Sequence, residues 1–389
     1  MKITRAFRYR LYPTPEQASL MEQMAGACRF IFNLALEQRQ TFWRQARAKG
    51  IWFNYVTQGR ELKELRRELP WLSALSATPL YYALIDLDRA YSAFFAGRSR
   101  APQFRRKGSN TAFRHKAIDI KLVELNAKWS LVRIPKIGFV KMRVTRAWRG
   151  TPHHATFSRN ALGWHISLGC EIEHEVEPSS LPPIGIDRGV ANTIALSTGE
   201  LLRTPDTKEL ERRKGNAQRV LARRQRGSGR YLKQGKVVAS IAAKIARIRA
   251  HWRHEQTTAI ARRFGLVGME DLNTSSMTAK GRGKRGLNRA ILEHGWRAFE
   301  TTLAYKLEER GGTLVKVNPA YTSQECSACG TIDKASRESQ ASFACRACGF
   351  TLHADTNAAL NILRRSTASV EDRGCPTDEA RTLALASGC

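Results

Sequence analysis

Acidic residues are scarce in this chain of 389 residues. Asp and Glu together number 34, against 65 Lys and Arg, which gives a formal net charge of +31. An excess of this size is far beyond what solubility requires and predicts a polyanionic partner. The basic residues are spread along the whole chain, whereas a membrane-surface protein more often gathers them on one amphipathic helix. Nucleic acid is therefore the predicted partner.

Long apolar runs are also missing. No stretch approaches 18 uninterrupted apolar residues, and the opening segment "MKITRAFRYRLYP" has no apolar core of the kind found in a signal peptide. These absences argue against a membrane protein, and we expect a cytoplasmic one. Its eight cysteines are then expected to be thiols or metal ligands, because disulfides are rare in a reducing compartment.

Hydrophobic periodicity predicts mixed α and β structure. Residues 2–12 alternate like a strand, and "TPEQ" at 14–17 has the cap, the proline and the glutamine that begin a helix. A two-residue period over 117–176 predicts a β-rich, barrel-like region. The Pro- and Ser-rich stretch 177–183 is the main predicted domain boundary. Further strands and helices follow it, among them a helix with one buried stripe of Leu292, Trp296, Phe299, Leu303 and Leu307.

A basic segment at 97–116 interleaves arginine and lysine with Phe104 and Phe113. This mixture suits phosphate contacts combined with stacking on bases. It is equally typical of a solvated basic loop, and the segment alone leaves both interpretations open.

Four cysteines have the spacing of a metal site. Cys326 and Cys329 form one C-x₂-C pair, Cys345 and Cys348 form a second, and fifteen residues separate the pairs. Two tight turns can bring these four thiolates around one tetrahedral Zn²⁺, as in a zinc ribbon. Because four sulfur ligands leave no position for a bound water, we predict a structural ion. His353 is predicted to be a surface residue and not a ligand.

Three carboxylates lie at the ends of predicted elements. Asp187 interrupts an apolar strand, on the face opposite Ile184 and Ile186. Glu270 closes a second strand, and Asp355 opens an amphipathic helix. A nuclease that uses Mg²⁺ needs oxygen ligands that converge from different elements in this way. Each residue also has an ordinary interpretation, as a turn residue, an exposed strand end or a helix cap.

The motifs around these residues are "GIDRG", "MEDLNTSSM", "NPAYTSQECSACG" leading into the second cysteine pair, and "HADTNAALNIL". Together they resemble the TnpB (OrfB) family of transposon-associated, RNA-guided DNA nucleases, which are relatives of type V CRISPR effectors. Weaker matches are "YRLYPTPEQ", "CRFIFNLAL", "PQFRRKGSN" and "IPKIGFVKMR", so the resemblance covers nearly the whole chain apart from its tail. Arg188 departs from the pattern, because many relatives carry an apolar residue there.

The resemblance implies an α+β multidomain fold. It consists of a wedge-type β-barrel with an inserted helical recognition lobe, followed by a RuvC-like (RNase H-type) α/β nuclease domain with an inserted four-cysteine zinc ribbon. The expected ranges are 1–13 and 110–180 for the barrel, 14–109 for the helical insertion, 181–319 and 351–365 for the nuclease, 320–350 for the ribbon and 366–389 for a disordered tail.

By the same resemblance, Asp187, Glu270 and Asp355 are the catalytic residues and hold two Mg²⁺, for which Mn²⁺ could substitute, while Asp271 is a neighbour that does not ligate. The resemblance implies that the partners are a guide RNA and a target double-stranded DNA beside a short motif, and that no membrane is involved. It also implies a monomer bound to RNA, in the cytoplasm of a prokaryote and associated with the nucleoid. Two alternatives stay open: a nuclease-inactive RNA-guided or zinc-ribbon repressor, and a DNA-joining transposase.

The segment "GRGKRG" at 281–286 matches G-x-G-x-x-G literally. We reject a dinucleotide site, because polar residues separate the segment from the preceding strand and because three of its six residues are basic. A flap that grips a nucleic-acid strand through Arg282, Lys284 and Arg285 is the preferred hypothesis.

Overall fold

The computed structural model describes residues 2–50, 53–108, 111–173, 175–279 and 285–371. Contacts divide the chain into two compact units, Met1–His174 and Glu175–Cys389. Within the described residues, no helix is both long enough and apolar enough to cross a bilayer.

The first unit begins with a strand and a helical segment and ends in strands. Its elements are β1 (Lys2–Tyr12), α1 (Pro15–Ala48), α2 (Tyr55–Glu68), α3 (Pro70–Ser73), α4 (Ala77–Phe95), β2 (Ala112–Lys116), β3 (Lys121–Asn126), β4 (Trp129–Ile134), β5 (Gly138–Arg143), β6 (Thr151–Asn160) and β7 (Gly163–Glu173). The predicted start of α1 is confirmed. The Thr14 hydroxyl accepts a hydrogen bond from the Gln17 amide (3.3 Å), and the Gln17 side chain accepts one from the Thr14 amide (3.1 Å), which is a capping box.

The strands of this unit form one antiparallel sheet in the order β2-β6-β7-β1-β5-β4-β3. Alternate residues of β1, namely Phe7, Tyr9 and Leu11, are buried in its core, as a two-residue period requires. The β-rich region that the sequence predicted is confirmed. The wedge-type barrel stays a prediction.

Phe113 corrects one interpretation of the basic segment. It lies in β2, is 4% exposed and stacks on Phe157 with ring centroids 5.0 Å apart. The proposal that Phe113 stacks on bases is therefore wrong, because core packing already covers its ring. Phe104 is half exposed.

The second unit contains a mixed sheet between helices. Its elements are β8 (Pro183–Asp187), β9 (Ile194–Leu196), β10 (Leu201–Leu202), α5 (Lys208–Ala222), α6 (Gly229–Arg263), β11 (Leu266–Glu270), α7 (Thr274–Met277), α8 (Arg285–His294), α9 (Trp296–Glu308), β12 (Thr313–Val317), β13 (Ser342–Ala344), β14 (Thr351–His353) and α10 (Ala354–Glu371). The larger sheet has the order β10-β9-β8-β11-β12. Strands β8, β11 and β12 are parallel, while β9 and β10 are antiparallel to their neighbours.

The two faces of this sheet are covered by different helices. Helices α6 and α9 contribute to one apolar cluster on the face that carries Ile184, Ile186, Val267 and Met269. Helix α10 covers the opposite face, where Ile362 packs with residues of β11 and β12. Three layers result, and each layer buries the apolar side of the next.

Two glycines allow α10 to approach the sheet closely. Gly185 of β8 and Gly268 of β11 are register partners. A Cβ on Gly185 would lie 2.0 Å from the Ala359 carbonyl oxygen, and one on Gly268 would lie 2.4 Å from the Ser366 hydroxyl. Only residues without a Cβ fit beneath α10 at these two positions.

The predicted stripe of five apolar residues is wrong at its first member. Gly295 adopts a left-handed conformation with φ 64° and separates α8 from α9. Leu292 consequently points away from the core and is 67% exposed, whereas Trp296, Phe299, Leu303 and Leu307 are buried. The sequence spacing gave no sign of the break, because a 3.6-residue period continues across it.

The predicted start of the tail is also wrong. Helix α10 continues to Glu371, and Ser366 is fully buried against β11. A polar residue can close a helix–sheet contact where a glycine faces it, so low hydrophobicity here did not mean disorder. Residues 372–389 lie outside the described residues, as do Arg282 and Lys284 of the predicted flap. Arg285 is the first residue of α8.

Candidate metal centres

Asp187 and Glu270 lie side by side at the carboxyl ends of two parallel strands. The last register pair of β8 and β11 joins Ile186 to Met269, so the next residue on each strand is one of the two acids. Both follow Gly185 and Gly268 by two positions, and side chains two apart on a strand share a face. The two carboxylates therefore point to the face that α10 covers.

Asp355 completes the group from the first turn of α10. It is 5% exposed, and Asn192 donates a hydrogen bond to its Oδ2 (3.1 Å). Arg337 lies 3.4 Å from its Oδ1. The His353 ring nitrogen Nδ1 accepts a hydrogen bond from the Asp355 amide (3.2 Å), so His353 helps to hold the turn.

The pKa values of two of the three acids are raised. Burial, together with the negative charges of Glu270 and Asp355, raises the pKa of Asp187 to about 7. Burial also raises the pKa of Glu270, against a hydrogen bond from the Thr322 hydroxyl that lowers it. A site that resists its own negative charge in this way is stabilised by a bound cation.

The spacing of this group differs from that of the cysteines. Among the described residues, only Cys326, Cys329, Cys345 and Cys348 bring three or more potential ligand atoms of His, Cys, Asp or Glu within 4.8 Å of one another. The three carboxylates are near enough to interact electrostatically, but their oxygen atoms do not all lie within 4.8 Å of one another.

The four cysteines lie on two matching turns. The Cys326 carbonyl accepts a hydrogen bond from the Gly330 amide (2.9 Å), and the Cys345 carbonyl accepts one from the Gly349 amide (2.9 Å). Both glycines have positive φ, 77° and 73°, as such tight turns require. The shared geometry explains why each C-x₂-C pair is followed directly by glycine.

The sulfur atoms interact directly. Cys326 and Cys348 have their Sγ atoms 3.8 Å apart, and Cys329 and Cys345 have theirs 3.6 Å apart. A hydrogen bond with Thr331 helps to lower the pKa of Cys329 to about 6. The Phe350 amide lowers the pKa of Cys348, but hydrogen bonds to the other thiols raise it to about 12. The pKa values of Cys329 and Cys348 are therefore shifted in opposite directions, and a bound metal ion would replace the protons of its thiol ligands.

Two asparagines of α10 bind the cysteine segment to the helix that carries Asp355. Asn357 donates to the Glu325 carbonyl (2.7 Å) and accepts from the Ser327 amide (2.9 Å). Asn361 donates to the carbonyls of Thr322 (3.0 Å) and Glu325 (2.6 Å). Both asparagines are fully buried, so this contact fixes the position of the cysteine turns on the helix.

Sequence reasoning missed several residues that hold the carboxylates. Asn192 and Arg337 contact Asp355, Thr322 contacts Glu270, and Asn357 and Asn361 bind the cysteine segment. A sequence signal was available only for Asn357 and Asn361. They are four residues apart on the apolar side of an amphipathic helix, where an unpaired amide would be costly.

Three family models match parts of the chain. Residues 1–48 match a helix-turn-helix domain of the OrfB family, residues 167–280 match a probable transposase of that family, and residues 296–362 match a Cas12f1-like TNB domain. The first range folds here as β1 and α1. The third range contains the cysteine turns and the start of α10.

Relatives and a solved structure cover nearly the whole chain. A protein of Escherichia coli K12 named as a candidate RNA-guided DNA endonuclease, InsQ, is 36% identical over 93% of this chain and 92% of its own length. A Streptomyces pristinaespiralis protein with the same kind of name is 30% identical over 93% and 89%. The Cas12f1 chain of a complex with sgRNA and target DNA shares the fold, with a TM-score of 0.59, 15% identity, and 93% and 98% coverage. With a relative at 36% identity along almost its entire length and matching family models in both units, the chain belongs to the TnpB (OrfB) family of transposon-associated proteins, which is related to the type V effectors.

Proposed function

We propose that this protein is an RNA-guided DNA endonuclease that hydrolyses target DNA with divalent metal ions. The observation that carries the proposal is the convergence of Asp187, Glu270 and Asp355 from two parallel strand ends and a helix start. The names of the relatives support the same activity.

The topology of the second unit supports a RuvC-like, RNase H-type domain. Numbered within this sheet, the strands have the order 3-2-1-4-5, and the second strand runs antiparallel to the first. The acids lie where the chain leaves the carboxyl ends of the first and fourth strands, the edge at which open α/β sheets bind ligands. The cysteine turns are inserted between the fifth strand and α10, as a ribbon within this domain.

The carboxylate site suits Mg²⁺ or Mn²⁺. Its donors are hard oxygens, and Asp187 has a pKa raised by burial and by its acidic neighbours, a strain that a divalent cation would relieve. Carboxylates that do not all lie within 4.8 Å of one another suit a pair of ions about 4 Å apart better than a single ion. We assign two ions to the three acids.

The cysteine site suits one Zn²⁺. Zn–S bonds of about 2.3 Å in a tetrahedron place sulfur atoms about 3.8 Å apart, and two measured separations are 3.8 Å and 3.6 Å. Four thiolates complete the shell, so this ion is structural and Cys326, Cys329, Cys345 and Cys348 are its ligands.

The chain's own residues orient the reaction. Asp187 and Glu270 hold their carboxylates on one face of the sheet, and Asn192 and Arg337 keep Asp355 turned toward them. The Thr322 hydroxyl fixes Glu270. Bound divalent ions would activate a water and stabilise the leaving 3′ oxygen. The expected products carry 5′-phosphate and 3′-hydroxyl ends.

The partners are a guide RNA and target double-stranded DNA. Base pairing by the guide supplies sequence recognition, while the protein contacts backbones and a short motif beside the target. The net charge of +31 supports a nucleic-acid load of this size, and binding should weaken steeply with salt. We expect a monomer bound to RNA.

The test uses the full chain purified with its RNA. Sequencing that RNA should reveal one guide, and a plasmid with the matching target should be cut only when Mg²⁺ or Mn²⁺ is added. Asp187→Ala should abolish cutting and retain target binding. Glu308→Gln, which removes an exposed carboxylate of α9, is the matched control and should cut normally.

Three other outcomes would contradict this proposal. Target binding without cutting by the unaltered protein would indicate a repressor. Joined products in a strand-transfer assay would indicate a transposase. Metal-dependent cutting by Asp187→Ala would refute the assigned site.

A further inference from the structure

A buried ionic network lies behind the carboxylate site. Arg188 follows Asp187 and, by strand alternation, points to the opposite side of the sheet. Its side chain has no exposed surface and lies 3.1 Å from the Glu300 carboxylate of α9. Its second guanidinium nitrogen donates to the main-chain carbonyl of Glu270. One side chain thus contacts the ends of β8 and β11 and the helix behind them.

The network continues to a third strand. Lys316 of β12 lies 2.8 Å from Glu300 and 3.2 Å from the carboxylate of Asp271. Neighbouring residues of β12, Val315 and Val317, pack on the opposite face with α10. The charged groups therefore join the ends of all three parallel strands from the side opposite the carboxylates.

Glu270 and Asp271 are adjacent in the sequence, but their carboxylates have different partners on opposite faces of the sheet. The Asp271 amide donates to the Val317 carbonyl (2.9 Å), and its exposed carboxylate is paired with Lys316. Glu270 instead points to the α10 face, where Thr322 binds it. A shift of β11 by one residue would exchange the two faces, so the position of this strand end decides which acid can bind a metal.

We propose that Arg188, Glu300 and Lys316 form an ionic clamp that fixes the ends of β8, β11 and β12 so that Glu270, and not Asp271, is presented to the metal site. The clamp residues are positioning residues, because they act through the backbone and touch neither metal nor substrate. The inference rests on the proposed function and adds the part of the chain that sets its geometry.

Burial gives the clamp its strength. A buried guanidinium is tolerated only when its charge is paired and hydrogen-bonded. Loss of Glu300 alone would leave Arg188 charged in an apolar layer, which disrupts the fold for reasons unrelated to positioning. Removal of both charges with apolar residues of similar size avoids this problem.

The experiment measures Mn²⁺ binding to the full-length protein by electron paramagnetic resonance, with no cleavage readout. The double variant Arg188→Met with Glu300→Leu should keep the circular dichroism spectrum and bind Mn²⁺ about 10- to 100-fold more weakly, the usual effect of lost ligand support. Arg188→Lys keeps the charge but not the two-pronged contact, and it should also bind more weakly than the unaltered protein.

A matched control removes another Arg–Glu pair of the same unit. Arg249 of α6 is paired with Glu211 of α5, and Arg249→Met with Glu211→Leu should leave Mn²⁺ affinity unchanged. Lys316→Met is the second test variant, since Lys316 is 44% exposed and its loss should not prevent folding. It should weaken Mn²⁺ binding by a smaller factor.

Asp187→Asn separates the two proposals. If it loses Mn²⁺ while the double variant binds normally, the clamp is overturned and the metal site stands. If the double variant does not fold, normal affinity in Lys316→Met overturns the clamp. If Asp187→Asn binds Mn²⁺ as well as the unaltered protein, both proposals fail.

Discussion

The second unit contains two candidate metal centres that are built in opposite ways. The proposed cysteine centre would take its four ligands from one segment, Cys326 to Cys348, on two matching turns with their own hydrogen bonds. The proposed carboxylate centre would take its ligands from Asp187, Glu270 and Asp355, which lie far apart in the sequence. The first centre is specified by local sequence, and the second exists only when a sheet and a helix are packed.

This difference predicts different sensitivities. A local centre fails when one of its ligands is lost and tolerates changes elsewhere. An assembled centre fails when distant packing changes, even if every ligand is present. The contact between them, made by Asn357 and Asn361, is where a change in one should reach the other.

The largest effect is expected from Gly185→Val. A side chain at Gly185 would meet the backbone of α10 at 2.0 Å, so the free energy of unfolding should fall by about 3 kcal/mol or more. Cutting should be undetectable, and urea unfolding measures the loss. Zinc content should persist, and its disappearance would show that the cysteine centre is not local.

The next effect is expected from Cys326→Ser. Removal of one thiolate should release the zinc, and cutting should fall about 100-fold, since Asp355 loses the support of the ribbon. Metal analysis and plasmid cleavage measure the two losses. Normal cutting by the zinc-free protein would separate the centres completely.

A smaller effect should follow from Asn361→Leu. This change leaves the Thr322 carbonyl unpaired and removes one of the two hydrogen bonds to the Glu325 carbonyl, which Asn357 still binds, at a cost of about 2 kcal/mol. We expect zinc to be retained and cutting to fall about 10-fold, as an error in the position of Asp355 reduces the rate. Loss of zinc in this variant would contradict the separation of the two centres.

The smallest effect is expected from Gly215→Ala. Gly215 lies inside α5 with open space around its Cβ position, so alanine should raise the free energy of unfolding by about 0.5–1 kcal/mol. Zinc content and cutting should both be unchanged. A loss of stability like that of Gly185→Val would show that glycine replacement is harmful here for reasons other than packing.

The same contrast explains how much could be predicted from the sequence. The cysteine site can be predicted from the sequence because its four residues form two C-x₂-C pairs within one short segment. The strand ends at Asp187 and Glu270 were predicted from apolar runs, but each acid alone also fitted an ordinary turn or strand end. Their convergence depends on the register of Gly185 with Gly268, and no local pattern encodes a register between distant strands.

The errors have the same physical origin. The stripe that included Leu292 failed because a left-handed Gly295 interrupts the helix without interrupting the period. The predicted tail begins at residue 366, which is too early, because Ser366 is buried against Gly268 of β11. This glycine lies far from Ser366 in the sequence. Periodicity predicts the type of an element more reliably than its limits.

The double attachment of Asn361 limits how this protein can be recombined with its relatives. In a chimera with a single junction directly after the second cysteine turn, Glu325 would come from one parent and Asn361, which binds its carbonyl, from the other. Transplants should carry the region from Thr322 through Asn361 as one cassette, so that donor and acceptor are inherited together.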